Sequence, residues 1–189
     1  MYKAIIFDFF GVMVSDMYID WINNNNLSHL IPDLKENYFK KTDIGELSTS
    51  ELHSYLASLV NKSVLQVESE LKNFLIINNE LVAFIKTIKP EIKIALCSNA
   101  PIGFVEDFLK ESNLGMLFDE VVISSRLGIR KPDEVIFDRA LGLLGVEAKE
   151  AIFVDDTLEN VDSASLLGIK SVLFIDFQSF KRELLVCGF

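Results

Sequence analysis

The chain has little cysteine, no long apolar run and no excess of positive charge, and each absence removes a class of function. Its two cysteines, Cys97 and Cys187, share no close spacing; one falls in an expected strand and the other near the end of the chain. Neither a disulfide framework nor a thiolate metal site is expected, and a reducing cytoplasm is the natural compartment. No uninterrupted apolar stretch approaches the roughly 20 residues that span a bilayer. The first apolar run is broken by Asp8 and is not expected to act as a secretory signal. Acidic residues outnumber basic ones by 28 to 18, for a formal charge of −10. Nucleic acids and anionic membranes are therefore disfavoured partners, because both need a basic surface. A small phosphorylated ligand stays compatible, since a few cations can converge locally. Internal repeats and low-complexity tracts are also missing.

What is present is core material. Half of the 189 residues are hydrophobic and fifteen are Phe, enough for one ordinary domain or a core domain with a small inserted one. Short runs rich in Val, Ile, Leu and Phe at 3–9, 92–97, 120–124, 151–155 and 171–175 read as five strands buried on both faces, as in a parallel sheet. Helical patterns at 102–111, 134–144 and 158–167 separate them, with stop signals at Asn113-Leu114-Gly115 and Leu167-Gly168. Strand and helix in alternation predict an α/β fold with right-handed crossovers.

The segment 15–81 reads differently, with helical stretches and no convincing strand. Ser48-Thr-Ser-Glu51 forms a capping box for a helix over 51–60, and Ser63-Val-Leu-Gln66 opens another with Leu65, Glu68 and Leu71 in register. Asn23 to Asn26 interrupts the helical pattern before them. The expected organisation is a core domain of 1–14 and 82–189 with a helical cap, 15–81, over the end of the first strand.

Four features sit at the strand ends. Asp8 closes the first apolar run ahead of a tight turn at Gly11; a carboxylate there serves as nucleophile or metal ligand, or caps the turn. Ser98 and Asn99 offer a hydroxyl and an amide to the oxygens of an anion, or an N-cap ahead of Pro101. Lys131, followed by Pro132, suits a phosphate or a carboxylate nucleophile, or is a solvated lysine near a helix start. Asp155 and Asp156 are adjacent acids that repel; a hard cation with oxygen ligands explains them, as does one acid capping a helix and the other in solvent.

Each feature is ambiguous alone, but all four in this order are not. From Lys3 to about Asp176 the chain resembles the haloacid dehalogenase-like hydrolase superfamily, whose motifs are a strand with DxD, a Ser or Thr closing the second strand, a Lys often followed by Pro, and a late acidic pair. The resemblance implies a Rossmann-like, five-stranded parallel sheet flanked by helices, with Asp8's strand central and a small helical cap inserted after the first motif. It further implies that Asp8 is a nucleophile forming an aspartyl-phosphate. Ser98 and the amide of Asn99 would hold the transferring group while Lys131 neutralises charge. Asp8, the carbonyl of Phe10 and Asp156 would bind Mg²⁺, with Asp155 a further ligand or an orienter of Lys131 and Asn160 in support. A metal clamp and converging cations are what phosphoryl transfer needs.

The departure is Phe10, which stands where most phosphatases of this family carry the second Asp. That acid protonates the leaving alcohol, a contribution typically worth about 10²- to 10⁴-fold. The chain looks closest to a subgroup resembling sugar-1-phosphatases that also lacks it, so the expected function is an Mg²⁺-dependent phosphatase for a small phosphomonoester, with sugar phosphates suggested by that resemblance. Two alternatives stand beside it. A 2-haloacid dehalogenase also places an aromatic residue two positions after the nucleophile, but replaces the acidic pair by neutral residues. A regulatory domain with a disabled site would have no need of all four motifs. A phosphonate hydrolase would need a specific cap lysine, and none of Lys35, Lys40, Lys41, Lys62 or Lys72 is marked out. His29 and His53 are read as exposed helix-surface residues in preference to proton donors.

Overall fold

The computed structural model describes residues 1–89 and 91–186, so Cys187 lies outside the described residues. Five strands, β1 (Ala4–Phe7), β2 (Lys93–Ser98), β3 (Glu120–Ile123), β4 (Ala151–Asp155) and β5 (Lys170–Leu173), form one parallel sheet in the order β3-β2-β1-β4-β5. All five expected strands are there, with β1 central. Their side chains alternate between two apolar layers, which is why the runs read as continuously hydrophobic. Ile5, Phe7, Ile94, Leu96, Ile152 and Val154 face one layer, and Ala4, Ile6, Ala95, Cys97, Ala151 and Phe153 face the other.

Between β1 and β2 lie α1 (Met17–Asn24), α2 (Ile31–Leu34), α3 (Lys40–Asp43), α4 (Thr49–Val60), α5 (Val64–Asn73) and α6 (Asn79–Ile88); a π-helical stretch, Lys35–Phe39, joins α2 to α3. Both expected capping boxes form, Ser48 with Glu51 at α4 and Ser63 with Gln66 at α5. Leu65, however, is exposed, because α5 turns Val67 and Leu71 inward instead. Met17, Trp21, Ile22, Leu34, Leu56 and Leu71 help build a third apolar cluster whose buried members all come from these helices.

The remaining helices follow the strands: α7 (Phe104–Glu111), α8 (Ser124–Leu127), α9 (Glu134–Leu144), α10 (Leu158–Leu166) and α11 (Phe177–Val186). The sequence pattern above assigns neither α6 nor α11. Each presents a thin buried stripe, Leu81, Val82 and Ile85 in one and Phe180 and Leu184 in the other, and both pack on the same sheet face. The expected junction at 81/82 therefore falls inside α6, whose Leu81 belongs to the sheet-side core. The chain leaves and re-enters that core side by side: Ser15 N donates to Ile76 O at 2.9 Å, Asn78 N donates to Met13 O at 2.9 Å, and Val14 bridges Ile77 antiparallel.

Candidate active site

Register brings the acids together. Phe7 pairs with Leu96 on one side and Val154 on the other, so the next step along each strand sets Asp8 beside Asp155. The chain runs outward from β1 through β2 and β3, then returns to β4 and β5 on the opposite side. The crevice between β1 and β4 is thus the topological switch point at which open α/β sheets take ligands.

Lys131 closes this crevice. It is 0 % exposed, with Nζ 2.8 Å from Asp8 Oδ1 and 2.6 Å from Asp155 Oδ2. Burial alone would strip its proton, but the charges of Asp155 and Asp8 outweigh that and hold it well above the usual lysine range. Asn99 fixes its backbone: Lys131 N donates to Asn99 Oδ1 at 2.8 Å, and Asn99 Nδ2 donates to Lys131 O at 3.1 Å. The side-chain amide of Asn99 is therefore used within the protein.

Asp155 has both oxygens occupied. Thr157 N and Asn160 Nδ2 donate to Oδ1 at 2.8 and 3.0 Å, while Lys131 and Asn160 also reach Oδ2. Burial pushes this carboxyl up, and Lys131 with these donors more than reverses the push, so its pKa lies below the usual range. Asp8 is the opposite case. Burial and then the charge of Asp155 raise it well above the ordinary value, against the pull of Lys131. Asp156 is raised to about 6 by burial and by Asp155.

Gly11 explains how Asp156 comes so close. At φ +75° a side chain is strained, and a Cβ there would stand 2.2 Å from Asp156 Oδ2. Oxygens of Asp8, Asp155 and Asp156 lie within 4.8 Å of one another. An all-oxygen, clustered donor set of this kind fits a hard divalent cation such as Mg²⁺. Ser98, which ends β2, is fully buried and its Oγ has no hydrogen-bond partner among the described residues. An orphaned buried hydroxyl costs about 1–3 kcal/mol until something bonds to it.

A cavity of about 250 Å³ rises from Asp8, Asn99, Lys131 and Asp156 to a wall supplied by the helices before α5. Phe10 lies between the two. Its ring packs against Phe9, Phe104 and Tyr18, with centroids 4.9, 5.6 and 6.4 Å away. Across the cavity Arg130 Nε is 3.1 Å from Asp43 Oδ2, an ion pair that ties the loop before Lys131 to the end of α3. Burial still raises Asp43 to about 6, against the charge of Arg130.

His29 is exposed, as read from the sequence, but His53 is not. It is 7 % exposed, with Nε2 3.1 Å from Tyr18 Oη and Nδ1 3.1 Å from Glu68 Oε1, because α4 turns it between α1 and α5. Sequence reasoning also missed the wall residues Lys35, Phe39 and Asp43. Their four-residue spacing was visible in the sequence, whereas the direction that face takes was not. Cys97 is buried and unpaired, and burial pushes its thiol up to about 12, which removes it from nucleophilic chemistry near neutrality. No helix among the described residues is long and apolar enough to cross a membrane.

A parallel sheet with a lysine-bridged acid cluster at its switch point defines a class of hydrolase core built around a strand-end aspartate. The haloacid dehalogenase-like hydrolase model matches residues 2–168, and the chain belongs to that family. Among curated relatives, it is 27% identical to the drimenol cyclase drtB of Aspergillus calidoustus over 97% of this chain and 36% of that one. It is 31% identical to a probable phosphoglycolate phosphatase of Pseudomonas savastanoi over 44% of this chain and 52% of that one. With the sesquiterpene phosphatase astK of Aspergillus oryzae the identity is 25%, over 97% and 95%. The chain thus spans only about a third to a half of the length of the first curated relatives it matches. A predicted HAD-like family hydrolase from Porphyromonas gingivalis superposes with a TM-score of 0.75 at 26% identity, over 97% and 98% of the two chains. The HAD family enzyme bt-2542 of Bacteroides thetaiotaomicron, solved with magnesium and inorganic phosphate, has the same fold, with a TM-score of 0.73, 18% identity and coverage of 92% and 94%.

Proposed function

We propose that the chain is an Mg²⁺-dependent phosphatase acting on a small phosphomonoester through Asp8. The observation that carries this reading is the buried Lys131 bridging Asp8 and Asp155, with Asp156 brought in over Gly11. Asp8, the Phe10 carbonyl and Asp156 would hold the cation. Asp155, already engaged on both oxygens, serves to hold Lys131. The cation, when bound, offsets negative charge on the transferring phosphoryl group.

The chain's own residues do the rest. An Asp8 oxygen attacks phosphorus, the bond from phosphorus to the alcohol oxygen breaks, and Lys131 balances the charge that gathers at the crevice. Ser98 Oγ donates to a phosphoryl oxygen, which satisfies its orphaned hydroxyl, and the Asn99 N–H donates beside it. Water then attacks phosphorus, the Asp8–phosphorus bond breaks, and Asp8 is restored as phosphate leaves. One water is consumed and one alcohol released. Phe10 has no proton to give, so the departing oxygen takes its proton from solvent water, and the attacking water returns one proton to solvent as phosphate forms. The helices between 17 and 73 act as a cap that excludes bulk water.

Two of the named relatives are phosphatases, and their names differ over the alcohol, glycolate in one and a sesquiterpene in the other; neither singles out a sugar. Phosphate release from p-nitrophenyl phosphate with and without Mg²⁺ tests the reading, with 2-chloropropionate as the competing substrate. Mg²⁺-dependent phosphate release is expected. Metal-independent halide release would overturn the proposal.

A further inference from the structure

Resting on that phosphatase reading, we propose that the alcohol of the substrate is apolar, an aromatic or branched aliphatic group, and that sugar phosphates are poor substrates. The argument is an account of what the cavity wall has left to offer a ligand. On the helical side stand Tyr18, Ile19, Phe39 and Leu52, with Phe10 between them and the phosphate end. Phe10 packs against both the sheet-side and the helical apolar clusters, as does Phe104 behind it, so the apolar side of the cavity is continuous with two cores.

The polar groups of the same wall are turned to internal partners. Tyr18 Oη meets His53 Nε2 at 3.1 Å. Thr42 Oγ1 donates to Tyr38 O at 2.8 Å. Asp43 accepts from Arg130. Asp16 caps α1, accepting from Ile19 N at 3.2 Å and drawing on the Tyr18 N–H as well. Of the remaining polar side chains in the lining, Lys35 and Lys40 are exposed on the helical side, where Lys40 is paired with Glu36, and Thr157 and Glu159 are exposed on the sheet side, next to Asp156. The two lysines suit the charge of an arriving phosphate, and the helical side offers no further polar group to the hydroxyls of a sugar.

A sugar bound here would trade its water for ring faces and leave buried hydroxyls without partners, which is unfavourable. An apolar group gains from the same surface. The size agrees: about 250 Å³ lies just under the roughly 300–1,000 Å³ of sites for drug-sized ligands. It takes a phosphate with a short apolar group, or the first part of a longer chain.

The test compares kcat/KM with Mg²⁺ for benzyl and geranyl phosphate against glucose 1-phosphate, glucose 6-phosphate and phosphoglycolate, with p-nitrophenyl phosphate reporting competence. At least a tenfold preference for the apolar pair is expected. Phe39→Ala should shrink that preference about tenfold, and Phe39→Leu should keep most of it. If p-nitrophenyl phosphate is hydrolysed but a sugar phosphate or phosphoglycolate matches the apolar pair, the apolar assignment falls and the phosphatase reading stands. If nothing is hydrolysed, the phosphatase reading falls, and equilibrium binding decides the pocket's preference. Tighter binding of geranyl phosphate than of glucose 6-phosphate then supports the assignment, and equal binding overturns it.

Discussion

The floor and the wall of the cavity are built by different physics. Every acid of the floor stands at or just past a strand end, and backbone register alone sets Asp8 beside Asp155. The wall is held by side-chain packing between helices, by the capping boxes of α4 and α5, and by the Arg130–Asp43 ion pair. The floor therefore tolerates little change, and its charges are buried and mutually dependent. The wall can be altered piece by piece. On the proposed function, this division separates the chemistry, fixed by the sheet, from the choice of alcohol, set by the helices.

The sharpest way to break the floor is Lys131→Met. Without the ammonium, Asp8 and Asp155 face each other in a buried crevice with no cation between them. Removing one partner of a buried ionic cluster costs about 3–5 kcal/mol, and urea denaturation of the metal-free protein at pH 7 should show a loss of that size. A loss under about 1 kcal/mol would mean that water, not Lys131, satisfies these acids. Gly11→Ala comes next. The left-handed backbone alone costs roughly 1–2 kcal/mol, and the new methyl must displace Asp156. Weaker Mg²⁺ binding by calorimetry, about tenfold or more, is expected together with the loss of stability. Unchanged Mg²⁺ affinity would remove Asp156 from the cation site.

The same division governs how much was legible in the sequence. Asp8, Ser98, Lys131 and the Asp155-Asp156 pair could be read because each ends or follows a short apolar run, and a parallel sheet aligns such ends automatically. The capping boxes were legible for a similar reason, since a cap is a local signal. His53 was not, because its burial comes from α1 and α5 folding over α4, a contact absent from its own neighbourhood in the chain. Helices α6 and α11 escaped because a stripe of two or three buried residues hardly differs from a loop with scattered apolar positions. The occupied amide of Asn99 was equally hidden, since its partner lies 32 residues away.

The pH dependence of stability sharpens the contrast across the Arg130–Asp43 contact. Burial raises Asp43 from 3.8 to about 6 in the folded chain, so between those values the folded state holds a proton that the unfolded state has lost. The stabilisation is complete below pH 3.8 and fades as the pH rises through about 6. In the metal-free protein Asp156 and Asp8 act in the same direction. Denaturation midpoints measured from pH 4 to 7 should fall across this window, and Asp43→Asn should remove part of the slope. A slope unaffected by the substitution would place the whole effect in the floor.

The smallest expected effect isolates the wall. Ser48 Oγ accepts from Glu51 N at 3.2 Å, and Ser48 N donates to Glu51 Oε2 at 2.9 Å, closing the first turn of α4 at an exposed position. Ser48→Ala removes one side of this box and should cost about 1 kcal/mol. One turn further along, α4 sends Leu52 to the cavity and His53 to Tyr18. If the wall only shapes the alcohol site, loosening that turn lowers stability and raises KM for apolar substrates, while kcat on p-nitrophenyl phosphate stays as it was. The floor, ordered by register through β1 and β4, does not sense a frayed helix end. A fall in kcat of the same order as the rise in KM would mean that α4 is coupled to Asp8, and the separation of floor from wall would fail at that point.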